Sequence, residues 1–233
     1  MKAVAVAASD KSEGVAFVIK YRFCYAKFGD AKYISHLDLI RMFSRAFKRA
    51  GIPLTHSEGF NPHPKMAIGL PLSVGLTSEC EYMDAELDRA ISADDVSALN
   101  ASLPMGISIS AAAERLVGTK KLADIRWATY KVTLHDGAVS QDALDAFMAR
   151  ADVVVEKKTK RKVSDTDILP DIAALIVSKD GTVLTMTVSA GASYNIKPEL
   201  VLLAMRTYIE GFGATNYDIH RAAIITDDGR NLM

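Results

Sequence analysis

The sequence has only two cysteines, Cys24 and Cys80, in 233 residues. Two are too few for a disulfide framework or a four-thiolate metal site, and neither belongs to a CxxC pair. They read as reduced thiols of a cytoplasmic protein. No apolar run approaches the roughly 18 residues that a membrane span requires. The N-terminal MKAVAVAASDKSEG also falls short of the roughly 7–15-residue apolar core of a signal peptide. The reading is cytoplasmic, with no membrane contact. Net charge is missing as well. Lys+Arg and Asp+Glu number 28 each, so any attraction for nucleic acid must come from local clusters rather than a global field. The sequence has no Gly-rich phosphate loop, nucleophile elbow or HExxH, and so implies no cofactor and no metal.

What is there is an ordinary globular balance, 49% hydrophobic and 24% charged, which predicts a packed core. Residues 1–15 read as a flexible leader. From residue 16 to 118 the pattern is strand, helix, strand, strand, helix, strand. VAFVIKYRFCYAKFG is a β-branched and aromatic strand. SHLDLIRMFSRAFKRAG is a helix capped by Ser35, with Asp38 in its first turn and Gly51 past its end. MAIGLPLSVGL and SECEYMDAEL form a hairpin, SADDVSALNASL a helix capped by Ser92, and GISISAAAERL a strand. From 124 to 227 the order starts again, through ATYKVTLH, SQDALDAFMARA, VVVEKKTKRK, a hairpin turning at Asp180-Gly181, a helix opened by Pro198, and YDIHRAAIITD. Residues 228–233 are a tail. The expected fold is α+β, two tandem ferredoxin-like (βαββαβ) units.

Three stretches carry functional interest. On the first helix, at about 100° per residue, Leu39, Phe43, Ala46, Phe47 and Ala50 share one arc. Arg41, Arg45, Lys48 and Arg49 share the other, as a stripe with no acid after the first turn. Such a stripe is either a solvated face or a grip on a phosphate backbone. In KKTKRK, read as a strand, Lys158, Lys160 and Lys162 share one face and Lys157 and Arg161 the other. This is either a lysine-protected edge or a second nucleic-acid contact.

SEGFNPHPK, at 57–65, is stiffened by Pro62 and Pro64 and bent by Gly59. It presents Phe60 for stacking on a base, Asn61 and His63 for polar contacts, and Lys65 for a phosphate. The plainer alternative is a rigid turn with Phe60 in the core. His36 and His63 are candidates for an acid–base pair, with binding or structural roles as the alternative, and no catalytic residue is assigned. Asp165, Asp167 and Asp171 match no metal-loop template and read as a polar turn.

The first half also resembles a known family. Its motifs here are Ser35-His36-Leu37-Asp38; Arg45, Ala46, Arg49, Ala50, Gly51 and Pro53; Gly59, Phe60, Asn61, Pro62, Pro64 and Lys65; and Gly75, Ser78, Glu79, Glu81, Tyr82 and Asp84. Together they resemble the bacterial radical-SAM-linked protein family (domain of unknown function 2344), and KKTKRK followed by DILPDI resembles its second half. The resemblance implies association with a radical SAM protein and a setting near ribosomes and RNA processing. With two cysteines this chain cannot itself hold the iron–sulfur cluster of that chemistry. The two-unit outline is also similar to CRISPR repeat-processing endoribonucleases, an analogy of fold only.

The resulting expectation is a non-catalytic RNA-binding accessory protein that presents tRNA or rRNA to a radical SAM partner. Its contacts would be Arg41, Arg45, Lys48, Arg49, Phe60, Asn61, His63, Lys65, Lys157, Lys158, Lys160, Arg161 and Lys162. The alternatives are a metal-independent endoribonuclease using His36 or His63, and a docking subunit of the radical SAM enzyme that touches no RNA.

Overall fold

The first strand, β1 (Ile19–Lys27), alternates residues that pack on a helix with residues that do not. Phe23 and Tyr25 meet Phe47 and Phe43 edge-on, at ring-centroid distances of 5.3 and 5.0 Å. Those phenylalanines lie on α1 (His36–Arg49), whose buried residues Leu39, Phe43, Ala46 and Phe47 form one apolar stripe. The helix begins where Ser35 accepts the backbone N–H of Asp38. It ends in a Schellman motif: Gly51 N–H bonds Lys48 O and Ile52 N–H bonds Phe47 O, with Gly51 at φ +69°. That left-handed geometry strains any residue with a Cβ.

The computed structural model describes residues 18–158, 163–191 and 194–233. After α1 come β2 (Met66–Ile68), β3 (Thr77–Leu87), α2 (Ala93–Ala101), β4 (Ile107–Glu114), β5 (Ile125–Leu134), α3 (Gln141–Met148), β6 (Val154–Lys158), β7 (Val163–Asp167), β8 (Ile172–Val177), β9 (Val183–Ser189), α4 (Pro198–Tyr208) and β10 (Tyr217–Thr226). The protein is α+β. Its main sheet runs β4-β1-β3-β10-β5-β9-β8, with β2 paired to β3 as well. One core lies between β1, β3 and the helices α1 and α2. The other joins β5, β8, β9 and β10 to α3 and α4, and also takes in Leu70, Tyr82 and Leu232.

The two halves meet along a short seam, where Thr77 and Ser78 of β3 pair in parallel with His220 and Arg221 of β10. Arg221 crosses it to Glu81, at 2.6 and 2.8 Å, and also donates to Leu70 O and to the Tyr130 hydroxyl. Both members of the pair are 1% exposed, so neither charge has water to fall back on.

Two outer strands, β4 and β8, are closed by side-chain amides. Asn100 of α2 accepts from Ile109 N–H and donates to Ile109 O on β4. Gln141 of α3 accepts from Val177 N–H and donates to Leu175 O on β8. Each amide occupies backbone groups that another strand would otherwise pair with.

β6 and β7 form a separate antiparallel ribbon, paired from Val154 opposite Asp167 to Lys158 opposite Val163. Lys160, Arg161 and Lys162, with the side chain of Lys158, lie outside the described residues, so the alternating faces expected of them do too.

Two outcomes follow for stability. Removing one partner of the seam pair, by Glu81→Gln or Arg221→Met, is expected to cost about 3–5 kcal/mol in denaturant unfolding, whereas the double replacement Glu81→Leu/Arg221→Met costs less than the sum. At the edges, Asn100→Leu and Gln141→Leu are each expected to lose about 2 kcal/mol and to bring concentration-dependent self-association, read by light scattering. Variants that stay monomeric would show that the amides do not guard these edges.

Candidate nucleic-acid interface

The GFNPHPK segment is carried on a small hairpin that grows from β3. Leu54 bridges Leu87 and His56 bridges Pro64. Thr55 N–H donates to Glu86 O, Glu86 N–H to Lys65 O, and Lys65 N–H to Thr55 O. Further out, Ser57 N–H donates to His63 O at 2.8 Å, and the Ser57 hydroxyl accepts His63 N–H at 3.0 Å. Residues 58–62 form the tip, where Gly59 takes φ +116°, a conformation that L side chains rarely adopt. Phe60 has a relative exposure of 106%, so the buried-Phe60 alternative is overturned: the ring has no core to enter. Asn61 and His63 are exposed beside it. The arms on either side of the tip are already bonded, which limits the chain entropy left to lose on binding.

The expected basic stripe is only partly free. Arg41 is paired with Asp38 at 3.0 Å, which corrects the expectation of an unpaired stripe. At i,i+3 the first-turn acid reaches it. The Ser35 hydroxyl, then Arg41, hold the Asp38 carboxyl below its usual range. Arg49 donates to Ser102 O. Arg45 and Lys48 are exposed and make no hydrogen bond or ion pair among the described residues. Arg45 and Arg49, with Met42, Ser102, Leu103 and Pro104, line a shallow cleft of about 280 Å³.

Lys65 does not join this stripe. Met83, Ala85 and Leu87 of β3 belong to the core under α1, so the alternate residues Asp84 and Glu86 project from the opposite face. Lys65 pairs with Glu86 at 3.4 Å, alongside Lys20 at 3.3 Å. Next to them Arg22 grips Asp84 at 2.7 and 3.0 Å, and Arg115 adds a contact at 2.8 Å. The sequence reading passes over Lys20, Arg22 and Arg115. The available signal is charge at alternate strand positions, which acquires meaning only once the register sets Lys20 opposite Glu86 and Arg22 opposite Asp84.

Lys157 stands in the other half, donating to Asn195 O at 3.2 Å and lying 4.0 Å over the Tyr194 ring. His36 has a buried, unpartnered Nδ1, and no hydrogen bond, ion pair or ring contact joins it to His63. A different histidine sits at the seam: His220 stacks on Phe28 at 5.5 Å, contacts the Thr77 hydroxyl at 2.9 Å and lies 3.7 Å from Glu79. Burial pushes the Cys80 thiol up to about 12 and raises Cys24 too, so neither supplies a thiolate near neutral pH. Asp167 accepts the backbone N–H groups of Val153 and Leu169, as a turn residue does. Among the described residues no group of three His, Cys, Asp or Glu is placed to hold a metal. No helix among them is long and apolar enough to cross a membrane.

Comparison with known proteins gives a family and little more. No curated protein matches the chain. Among solved structures, a chain from the crystal structure of a Cbf5-Nop10-Gar1 complex is similar over 87% of this chain and 49% of its own length, at 12% identity and a TM-score of 0.42. The chain thus spans about half of that neighbour, and a likeness so slight carries no functional argument. Residues 20–198, more than half of the sequence, match the profile of the family described as uncharacterized protein conserved in bacteria (DUF2344), and the chain belongs to that family.

Proposed function

We propose that this protein is a non-catalytic, cytoplasmic RNA-binding accessory protein that acts with a radical SAM partner on tRNA or rRNA. The observation that carries the reading is Phe60, a fully exposed aromatic ring on a hairpin whose arms are closed by backbone hydrogen bonds. An apolar ring held in water is a standing cost, and a nucleic-acid base relieves it by stacking, worth about 1–3 kcal/mol per base. Asn61 and His63 beside it offer polar contacts to a base edge. Arg45 and Lys48, the unpaired members of the α1 stripe, supply phosphate contacts, as does Lys65.

The scaffold supports a further part of the proposal, that the chain is two tandem ferredoxin-like units. The first half has the order β4-β1-β3-β2 and the second β10-β5-β9-β8. With the separate β6–β7 ribbon set aside and the main-sheet strands numbered within each half, both follow the fourth-first-third-second order that βαββαβ connectivity produces. The link to a radical SAM protein rests on the SHLD and GFNPHPK motifs.

The test is fluorescence anisotropy with a panel of small structured RNAs. Phe60→Ala is expected to weaken binding about tenfold or more. Arg45→Glu/Lys48→Glu is expected to weaken it for every RNA and to lower the salt-dependence slope by about two, one for each phosphate no longer neutralised. Unchanged affinity in both variants would sink the assignment. If the same RNAs are cleaved in the presence of chelator, and His63→Ala abolishes the cleavage, the endoribonuclease reading replaces it.

A further inference from the structure

The face of the first half turned away from α1 carries a charge imbalance that the hairpin alone does not explain. Arg22 is 1% exposed and clasps both oxygens of Asp84, through Nε at 2.7 Å and Nη2 at 3.0 Å. That pair is neutral by itself. Arg115 then brings a second cation to the same carboxylate at 2.8 Å, while its own Nε is buried without an acceptor. Two residues further along the strand, on the same face, Lys20 and Lys65 contact the two oxygens of the single carboxylate of Glu86. Four cations thus face two anions, leaving two positive charges in surplus. Ala67 stands opposite Asp84 in register and contributes only a methyl group, so the side chains border an open groove of about 270 Å³.

A surface ion-pair network usually ends in neutrality or in water. This one concentrates its surplus in a concave site, where cations repel each other and an incoming anion relieves the repulsion. Arg115 uses one Nη on Asp84 and keeps donors in a planar fork suited to phosphate, while a lysine supplies a compact second charge. A phosphodiester brings one negative charge to such a site. A phosphate monoester brings nearly two at neutral pH and matches the surplus.

The geometry points to a phosphate-monoester site in the groove between Lys20, Lys65 and Arg115. On the RNA reading, on which the identity of the ligand but not the site itself rests, the monoester is the terminal phosphate of an RNA strand. Lys65 belongs to the hairpin that presents Phe60, at most about 17 Å of extended chain away. One strand end therefore meets the stacking ring and the groove as parts of a single rigid feature.

The experiment compares three forms of one short RNA strand, with a 5′-phosphate, a 3′-phosphate or hydroxyls at both ends, binding to the full chain. Inorganic phosphate is titrated in parallel by calorimetry. One phosphorylated form is expected to bind about tenfold tighter than the hydroxyl form, and this preference is expected to vanish in Arg115→Gln and in Lys20→Gln. The second variant replaces an exposed side chain and keeps the test valid if the first unfolds. Heat from inorganic phosphate that disappears in these variants, with no RNA form bound, upholds the site, assigns it to a free small phosphate ester and removes the RNA reading. Equal affinity for all three strands with no heat from inorganic phosphate overturns the site and leaves the RNA reading standing.

Discussion

Glu81 and Arg221 come together where neither has access to water, and where only two residue pairs of parallel ladder join one half of the sheet to the other. Burial works against the charge on Arg221, and Glu81 and Tyr130 more than offset it, so the guanidinium is held protonated. A single side chain thereby ties β10 to β3, to the loop at Leu70 and to β5 at Tyr130. A buried pair of this kind adds little net stability over a well-packed apolar substitute. What it supplies is discrimination. Any slip of β3 along β10 separates two desolvated charges, and that cost is far larger than giving up two pairs of the ladder.

The same strand carries the consequences to the surface. At its start β3 holds the seam, where the Ser78 hydroxyl donates to Arg221 O. Toward its end Glu86 bonds both arms of the hairpin through its backbone, and Asp84 and Glu86 anchor the four cations of the groove through their carboxylates. Seam, hairpin and groove are thus stations along one 11-residue strand. A rigid seam makes a rigid hairpin, and the entropy argument for Phe60 depends on that rigidity. The fold and the proposed recognition surface are in this sense one mechanical object.

Much of this is legible in the residues, for local reasons. Ser35 and Ser92 cap helices as expected, and Ser140 caps a third, because capping is settled within four residues of chain. The turn at Gly181, with φ +76°, is equally local. Most of what the sequence hides is set by pairing between distant strands; the Arg41–Asp38 contact, an i,i+3 pair within one helix, is the local exception. Lys20, Arg22 and Arg115 look like ordinary strand and linker charges until the register of β1 on β3 places them around two carboxylates. Phe60 is ambiguous for a similar reason. Only the bonded arms at Thr55 and Lys65 show that the tip stands clear of the core.

The sheet edges narrow what kind of recognition remains open. Many sheets bind partners by adding a strand, which needs a row of free backbone donors and acceptors. Asn100 and Gln141 occupy such groups on β4 and β8, the two ends of the main strand order. A strand arriving at either edge must first break a two-point amide contact that already satisfies the backbone. Each such contact is worth about 1 kcal/mol per hydrogen bond, enough to disfavour casual pairing. At these two edges backbone templating is thereby disfavoured, which leaves the side chains held on the hairpin, the α1 face and the groove as recognition surfaces. Such side-chain surfaces select by charge and ring stacking, which suits a ligand built of phosphates and bases better than an extended peptide.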